Sequence, residues 1–340
     1  MVPPDPLISV VLPVFDARPH LAEAVASVRA QSHRRWELLL VDDGSTDGSA
    51  QLADALAAED RRIRVLRVDH GGAAHAVNAG IEAAQGEMIA RMDADDVAAP
   101  ERFATQLEWM RQTGVEVCGS CAMRFGAARG LLWFPEGHEA IAREMLFRHG
   151  ILQPTLLTHA SILKAHRYRE GARFEGNELW IRLRREHVLG NVPAVLLKHR
   201  VHAQQTSVVR GAAMREFVRA TRRPLFAELF PDAGAPDFEA VDRVADRRPF
   251  PTLEALERAG SWLLRLADSP DRQLGRRMLA RWRDACRAST ALGPAVHGLY
   301  RRLAPAFVGE PVEPDPRLRL ASAVRLPPRP RRRTLRSGRS

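Results

Sequence analysis

Short apolar runs alternate with amphipathic stretches along the first 120 residues. Leu7 to Phe15 (LISVVLPVF) is almost continuously apolar, as in a strand buried on both faces. Pro19 then opens a helix that sets Leu21, Val25 and Val28 on one side. Trp36 to Val41 (WELLLV) predicts a second buried strand, stopping at Asp42-Asp43-Gly44-Ser45-Thr46-Asp47, a loop and helix cap. After a helix through Leu52 and Leu56, Arg61 to Asp69 alternates like a strand nearer an edge. Gly71-Gly72 breaks the chain before a small-residue helix from Ala73 to Ala84. Glu87 to Met92 is a fourth strand that runs into Asp93-Ala94-Asp95-Asp96, and Pro100 opens the next helix. Repeated strand–helix units predict an α/β fold, a mostly parallel sheet flanked by helices. Such sheets bind ligands at the carboxyl ends of their strands. Both acidic clusters, 42–43 and 93–96, fall at such ends, so pattern and chemistry point to one site.

Beyond residue 115 the pattern changes. Val115 to Phe125 suits a strand and Leu179 to Arg185 part of a helix. From 211 onward the periodicity is helical. Thr252 precedes a helix bearing Leu256, Trp262, Leu263 and Leu266, and Ser269-Pro270 reads as a cap and first-turn proline before a helix through Met278 and Trp282. After Pro311 the chain becomes rich in Pro and Arg, which predicts disorder. The expected organisation is a domain over 1–210, with halves at 1–120 and 121–210, a helical C-terminal region over 211–316, and a disordered Arg-rich tail over 317–340.

Charge first suggests a different partner. The formal net charge is +10 over 340 residues, which points to nucleic acid or acidic membrane. Residues 317–340 hold nine arginines and no acid, whereas the first 316 residues hold 42 basic against 41 acidic side chains. The basic excess therefore belongs to the tail. That tail has no aromatic residue to stack on bases, which argues against nucleic acid. Peripheral docking on an anionic membrane and simple solubilisation both fit it. No apolar run approaches the ~18 residues of a membrane span, and MVPPDPLIS lacks a basic region before an apolar stretch, so it does not read as a signal peptide. Three cysteines are too few for a disulfide framework, and a cytoplasmic protein is expected. Cys118-Gly119-Ser120-Cys121 spells C-x-x-C inside an apolar stretch, where packing is the expected role. The 12 histidines contain no H-x-x-x-H or similar ligand spacing.

Asp93, Asp95 and Asp96 place three carboxylates within four residues, which repel one another unless a cation or solvent intervenes. Mg²⁺ and Mn²⁺ take such oxygens together with substrate phosphates, so this loop suits a metal that bridges a diphosphate. A solvated acidic turn ahead of the Pro100 helix is the other reading. At the second strand end a carboxylate can accept from a base N–H or a ribose hydroxyl, with Gly44 allowing close approach; a plain helix cap is again the alternative.

Taken together, ISVVLPVFDARPHLAEAVASVRAQS, WELLLVDDGSTDGS, the VNAGIEAAQGE stretch around Asn78 and Gly80, and EMIARMDADDVAAPERFATQ resemble the family 2 glycosyltransferases, with the GT-A fold. Weaker matches are LTHASIL, NELWIRL and HRVHAQQTS, so the resemblance covers about the first 210 residues. It implies transfer of a sugar from a nucleotide-diphosphate donor, UDP-sugar by family habit, to a glycan or lipid-linked acceptor, often with inversion and with Mn²⁺ or Mg²⁺. By position it implies that Pro13 and Phe15 line the base pocket, with Phe15 where tyrosine is usual and Asp16 where asparagine is frequent. Asp42, Asp43, Asn78 and Asp93 would face the nucleotide. Asp95 would be the main metal ligand, with Asp93 and His202 beside it, and Arg200 and Ser207 would belong to a segment closing over the phosphates.

The pattern breaks in the acceptor half. An inverting displacement needs a base for the acceptor hydroxyl, and the family supplies an aspartate shortly before a Leu-Trp step. Aligning on Leu179-Trp180 puts Gly176 there, and the stretch between Ser161 and Tyr168 is shorter than usual. Either Glu175 or Glu178 serves as base, with Glu175 favoured, or the enzyme acts on an acceptor with little need for a base, or the chain binds a nucleotide sugar with weak or lost catalysis.

Overall fold

The structure, a computed structural model, describes residues 2–171, 175–202 and 211–324. It divides into two compact units, Met1–Leu225 and Phe226–Ser340. The division lies inside a helix, later in the chain than the composition change at 210 suggested.

The first unit is built on one sheet. Strand β1 (Ile8–Val14) lies between β2 (Trp36–Asp42) and β4 (Met88–Arg91), and β3 (Ile63–Arg67) flanks β2. All three pairings are parallel, as the strand–helix repeat predicts. The apolar run of β1 is explained by burial on both faces. Val10, Leu12 and Val14 join the core with Leu21, Val25 and Val28 of helix α1 (Arg18–Arg29). On the other face Val11 meets α3 (Ala73–Ala83) so closely that a Cβ at Gly80 would lie 2.5 Å from its Cγ1. Only glycine allows that approach, which seats the helix against β1. Helix α2 (Ser49–Glu59) connects β2 to β3.

The parallel pattern ends at β4. Strand β8 (Leu157–His159) pairs antiparallel with β4, and β6 (Val117–Gly126) pairs antiparallel with β8 and with the short β7 (Gly130–Leu132). Strand β9 (Leu189–Val201) runs parallel to β6, and β5 (Val97–Ala98) pairs antiparallel with its far end. The sheet is thus parallel in its first four strands and mixed beyond. The reason is local: the later strands are not linked by regular strand–helix crossovers, so nothing enforces a parallel run. Helices α4 (Arg102–Thr113), α5 (His138–Met145), α6 (Ala160–Ala165) and α7 (Glu175–Leu183) complete this unit, with α7 starting earlier than the apolar pattern indicated. Cys118 and Cys121 lie in β6 as buried free thiols, so the C-x-x-C is packing. Burial pushes the Cys118 thiol up to about 12.

Helix α8 (Gly211–Leu229) contains the division. The second unit then holds α9 (Ala235–Asp246), α10 (Leu253–Ala267), α11 (Arg272–Ala288), α12 (Ala295–Leu303) and α13 (Pro316–Ala323). Its core includes Phe226, Phe230, Phe238 and Trp262, with ring centroids 5.1–5.7 Å apart. Thr252 caps α10 as expected, accepting from the Ala255 N–H. For α11 the cap is Asp271, one residue beyond the Ser269-Pro270 signal, because its carboxylate accepts from two N–H groups, Gln273 and Leu274. The expectation of disorder from 317 is corrected for the described part. Asp315 accepts from the N–H groups of Arg317 and Leu318 and pairs with Arg287 at 2.7 Å, while Leu318 is fully buried, so Pro316–Ala323 is a capped helix. Residues 325–340 lie outside the described residues. Among those described, no helix is long and apolar enough to cross a membrane.

Candidate active site

The acidic loop 93–96 is enclosed by two strands. It leaves β4 and returns as β5, which pairs with β9 through Val97 and Lys198. That pairing sets the neighbours of Lys198 in β9 against the loop. Asp96 is fully buried, and His199 Nδ1 lies 3.0 Å and 3.1 Å from its two oxygens. The backbone N–H of Arg200 donates to the same carboxylate at 2.9 Å. Burial pushes the Asp96 carboxyl up to about 6, with His199 opposing. Burial also works against a charged His199, but its hydrogen bond to Asp96 together with the charges of Asp96, Asp93 and Asp95 outweighs this and raises it. Asp93 pairs with Arg91 at 2.7 Å, and His202 Nε2 lies 2.9 Å from Asp95 Oδ2. The Arg200 guanidinium donates to the Asp95 carbonyl and pairs with Glu23. Behind them the fully buried Arg102 donates to the carbonyls of Arg91 and Leu156. Thus the protein itself supplies a cationic or N–H partner to each of three mutually repelling carboxylates.

The test for a divalent metal is the donor set. One oxygen from each of Asp93, Asp95 and Asp96 falls within 4.8 Å of the others. Asp96 is spent inward on β9. Asp93 and Asp95 keep 29% and 19% side-chain exposure, and His202 keeps 29%, so these three are the groups able to reach an ion. Carboxylate oxygens with one imidazole fit Mn²⁺, and the oxygens alone fit Mg²⁺. Sequence reasoning included Asp95, Asp93 and His202 but missed Arg91, His199 and His20. The His20 ring lies 5.3 Å from that of His202, and burial followed by Arg200 lowers its pKa. The one available signal was the HRVH run itself.

The second strand end is tied together by main-chain bonds. Asp16, at φ 46, accepts from the Thr46 N–H at 2.8 Å, and its own N–H donates to Ser45 Oγ. An aspartate tolerates this left-handed conformation where bulkier residues do not. The amides of Ala17 and Arg18 go to Ser49 and Asp47. Phe15 is half exposed and stacks on His70 at 4.4 Å, which gives a ring surface at the carboxyl end of β1, next to partly buried Pro13. His70 was not anticipated. Asp42 accepts from the Ser45 N–H. Asp43, nearly buried, accepts from the N–H groups of Gly71 and Gly72 at 2.9 Å and 3.0 Å, with His70 Nδ1 3.0 Å from Oδ2. Its carboxylate therefore holds the 70–72 turn, and Oδ1, with a single partner, retains a second lone pair. Asn78 has a different task from the nucleotide contact expected of it. Its amide accepts from the Tyr168 N–H and donates to the Tyr168 carbonyl and Glu170, because it lies buried on α3 beneath residues 168–170.

On the acceptor side the geometry is closed. Gly176 lies against Gln153: a Cβ there would stand 1.8 Å from Gln153 Nε2. The space of an aspartate side chain is filled by an amide from the 153–155 turn. Glu178 Oε1 accepts from Arg182 at 2.8 Å and lies 3.0 Å from Arg169, which anchors it on α7, while its buried Oε2 has no hydrogen-bond partner. Glu175 opens α7, its side chain lying outside the described residues, as does Ser207.

The model of glycosyl transferase family 2 matches residues 9–166, the span holding both strand ends. EpsE of Bacillus subtilis, which carries the name of a glycosyltransferase, is 30% identical over 203 residues, 57% of this chain and 73% of EpsE. The chain belongs to family 2. Two solved structures show that this family 2 glycosyltransferase has their fold. TarS 1–349 of S. aureus, in complex with UDP-GlcNAc, superimposes with a TM-score of 0.55 at 14% identity, covering 93% of this chain and 91% of TarS 1–349. The mannosyltransferase PcManGT of Pyrobaculum calidifontis, in complex with GDP-Man and Mn²⁺, does so with a TM-score of 0.52 at 16% identity, covering 93% and 87%.

Proposed function

We propose that this glycosyltransferase moves a sugar from a nucleoside-diphosphate donor, a UDP-sugar first, to a glycan or lipid-linked acceptor with inversion, using Mn²⁺ ahead of Mg²⁺. The carrying observation is the pairing of His202 with Asp95 beside Asp93 at the end of β4. Asp95, Asp93 and His202 would hold the ion, and when bound it neutralises the departing diphosphate as a Lewis acid. Phe15 stacks on the base over His70, while Asp42 and Asp43 shape the turn around it and offer acceptor oxygens. Arg200 stabilises the loop through the Asp95 carbonyl, and a phosphate contact from Arg200 and Ser207 is the role their segment would take. TarS and PcManGT, captured with a UDP-sugar and a GDP-sugar respectively, support the donor class.

Glu175 takes the acceptor proton. Its support is position: Glu175 opens α7 next to Gly176, which carries no acid, while Glu178 holds two arginines through Oε1. We assign the reaction to the cytoplasm, where the nine arginines of 317–340 suit either contact with an anionic inner membrane face or solubilisation. The test is donor turnover across UDP- and GDP-sugars with Mn²⁺, Mg²⁺ or EDTA. Turnover that survives EDTA unchanged would refute the metal, and donor-induced thermal stabilisation without turnover on any acceptor would favour a binding protein. Liposome co-sedimentation with and without residues 317–340 tests the tail, and equal binding rejects membrane contact.

A further inference from the structure

A second ligand set stands away from the acidic loop. His166 follows the last residue of α6, and Glu186 with His187 lies in the turn after α7. One ligand atom from each of the three falls within 4.8 Å of the others. The rings of His166 and His187 meet edge to face with centroids 5.4 Å apart, and His166 Nε2 is 3.6 Å from Glu186 Oε2. Both imidazoles are largely shielded, whereas Glu186 is open to solvent. Glu116 supplies what a metal-binding histidine needs behind it. Its Oε1 lies 3.3 Å from His187 Nδ1, and its Oε2 accepts from the Val188 N–H at 2.9 Å. A carboxylate on Nδ1 fixes the tautomer and leaves Nε2 with its lone pair outward.

The cluster is at the opposite end of the sheet from Asp93–Asp96. Val117, next to Glu116, pairs with Thr158 and Leu189, and the neighbouring His159 pairs with Met88, the first residue of β4, whereas the acidic loop follows the last. We propose that His166, Glu186 and His187 bind a borderline transition-metal dication of the Zn²⁺ class. Two imidazoles and a carboxylate are a zinc donor set with a fourth position left for water, and they discriminate against the hard Mg²⁺. The ion ties together the two ends of the segment that carries α7, and so fixes the helix bearing Glu175 and Gly176. Such a clip also removes loop-closure freedom from the unfolded chain.

The test is calorimetric titration of the metal-free full-length chain with Zn²⁺ in an Asp95→Ala background, which disables the acidic loop. One saturable equivalent is expected, with a raised Tm and, with Co²⁺ in its place, the visible absorption of a tetrahedral site. His166→Gln and His187→Gln remove the equivalent. Glu116→Gln, which keeps a hydrogen-bonding side chain, weakens binding by about 10- to 100-fold. Glu186→Gln, on an exposed side chain that can change without unfolding the chain, weakens it as well. No saturable equivalent in Asp95→Ala, or an affinity in Glu186→Gln equal to that of its parent, overturns the proposal.

Discussion

The proposed donor side and acceptor side share one sheet and solve the problem of polar side chains in opposite ways. At the ends of β2 and β4 every aspartate has its partner in place: Arg91 for Asp93, His202 for Asp95, His199 for Asp96, and the 71–72 amides for Asp43. At the start of α7 the expected carboxylate is absent, and an amide from Gln153 fills its space. The donor side is a charged site preorganised by its neighbours, and the acceptor side is a packed contact in which Glu178 ties one oxygen to two arginines. The lesson is that a short acidic motif need not be a set of equivalent ligands. Of the three aspartates in 93–96, Asp96 is fully buried against β9, while Asp93 and Asp95 keep part of their carboxylates exposed.

The largest expected effect separates those aspartates. Asp95→Ala should lower transfer by about a thousandfold, since a diphosphate-bound metal contributes several kcal/mol to leaving-group stabilisation, while Tm changes little. Loss of metal dependence is the readout, and an unchanged Mn²⁺ response would misplace the ligand. Asp96→Ala should do the reverse. It leaves His199 buried without its counterion and should cost about 3 kcal/mol of stability, measured by urea unfolding; a Tm equal to the parent's would make Asp96 a solvated acid after all.

Gly176→Ala sharpens the other side. Its new methyl meets Gln153, so a loss of about 1–3 kcal/mol is expected, largely recovered in Gly176→Ala/Gln153→Ala. Failure of the second change to rescue would show that the clash is relieved in another way. Glu178→Gln should lower stability by about 1 kcal/mol and leave transfer per folded molecule unchanged. A fall in kcat with Tm intact would return Glu178 to the role of base. The smallest effect is on the C-x-x-C. With its pKa raised by burial from 9.0 to about 12, the Cys118 thiol has about a thousandfold less thiolate at pH 8 than a free one. Peptide-resolved alkylation should therefore find it inert below pH 10, and rapid labelling would contradict its burial.

Much of this was legible beforehand. The two-sided burial of Leu7–Phe15 and WELLLV predicts strands whose ends must carry the acids, because apolar runs of that length cannot stop in solvent without a polar turn. The first-turn proline Pro19 and the Thr252 cap are likewise local chemistry. What the Asn78 motif leaves open is direction: in the structure its amide faces Tyr168, about 90 residues away in sequence. The disorder expected over 317–324, the described part of the tail, failed because composition hides the capping carboxylate of Asp315 and its Arg287 partner.

The sequence by itself determined the strand–helix order, the placement of acids at strand ends, the family, and the missing acid at Gly176. These are local properties, set by side-chain period, turn chemistry and residue identity. Only the tertiary structure decided which aspartate is buried, that Gln153 occupies the acceptor-side gap, and that His166 meets His187 across α7. Those outcomes depend on β9 pairing with β5 and β6 and on two helix ends meeting, contacts between residues far apart in the chain that no spacing rule encodes.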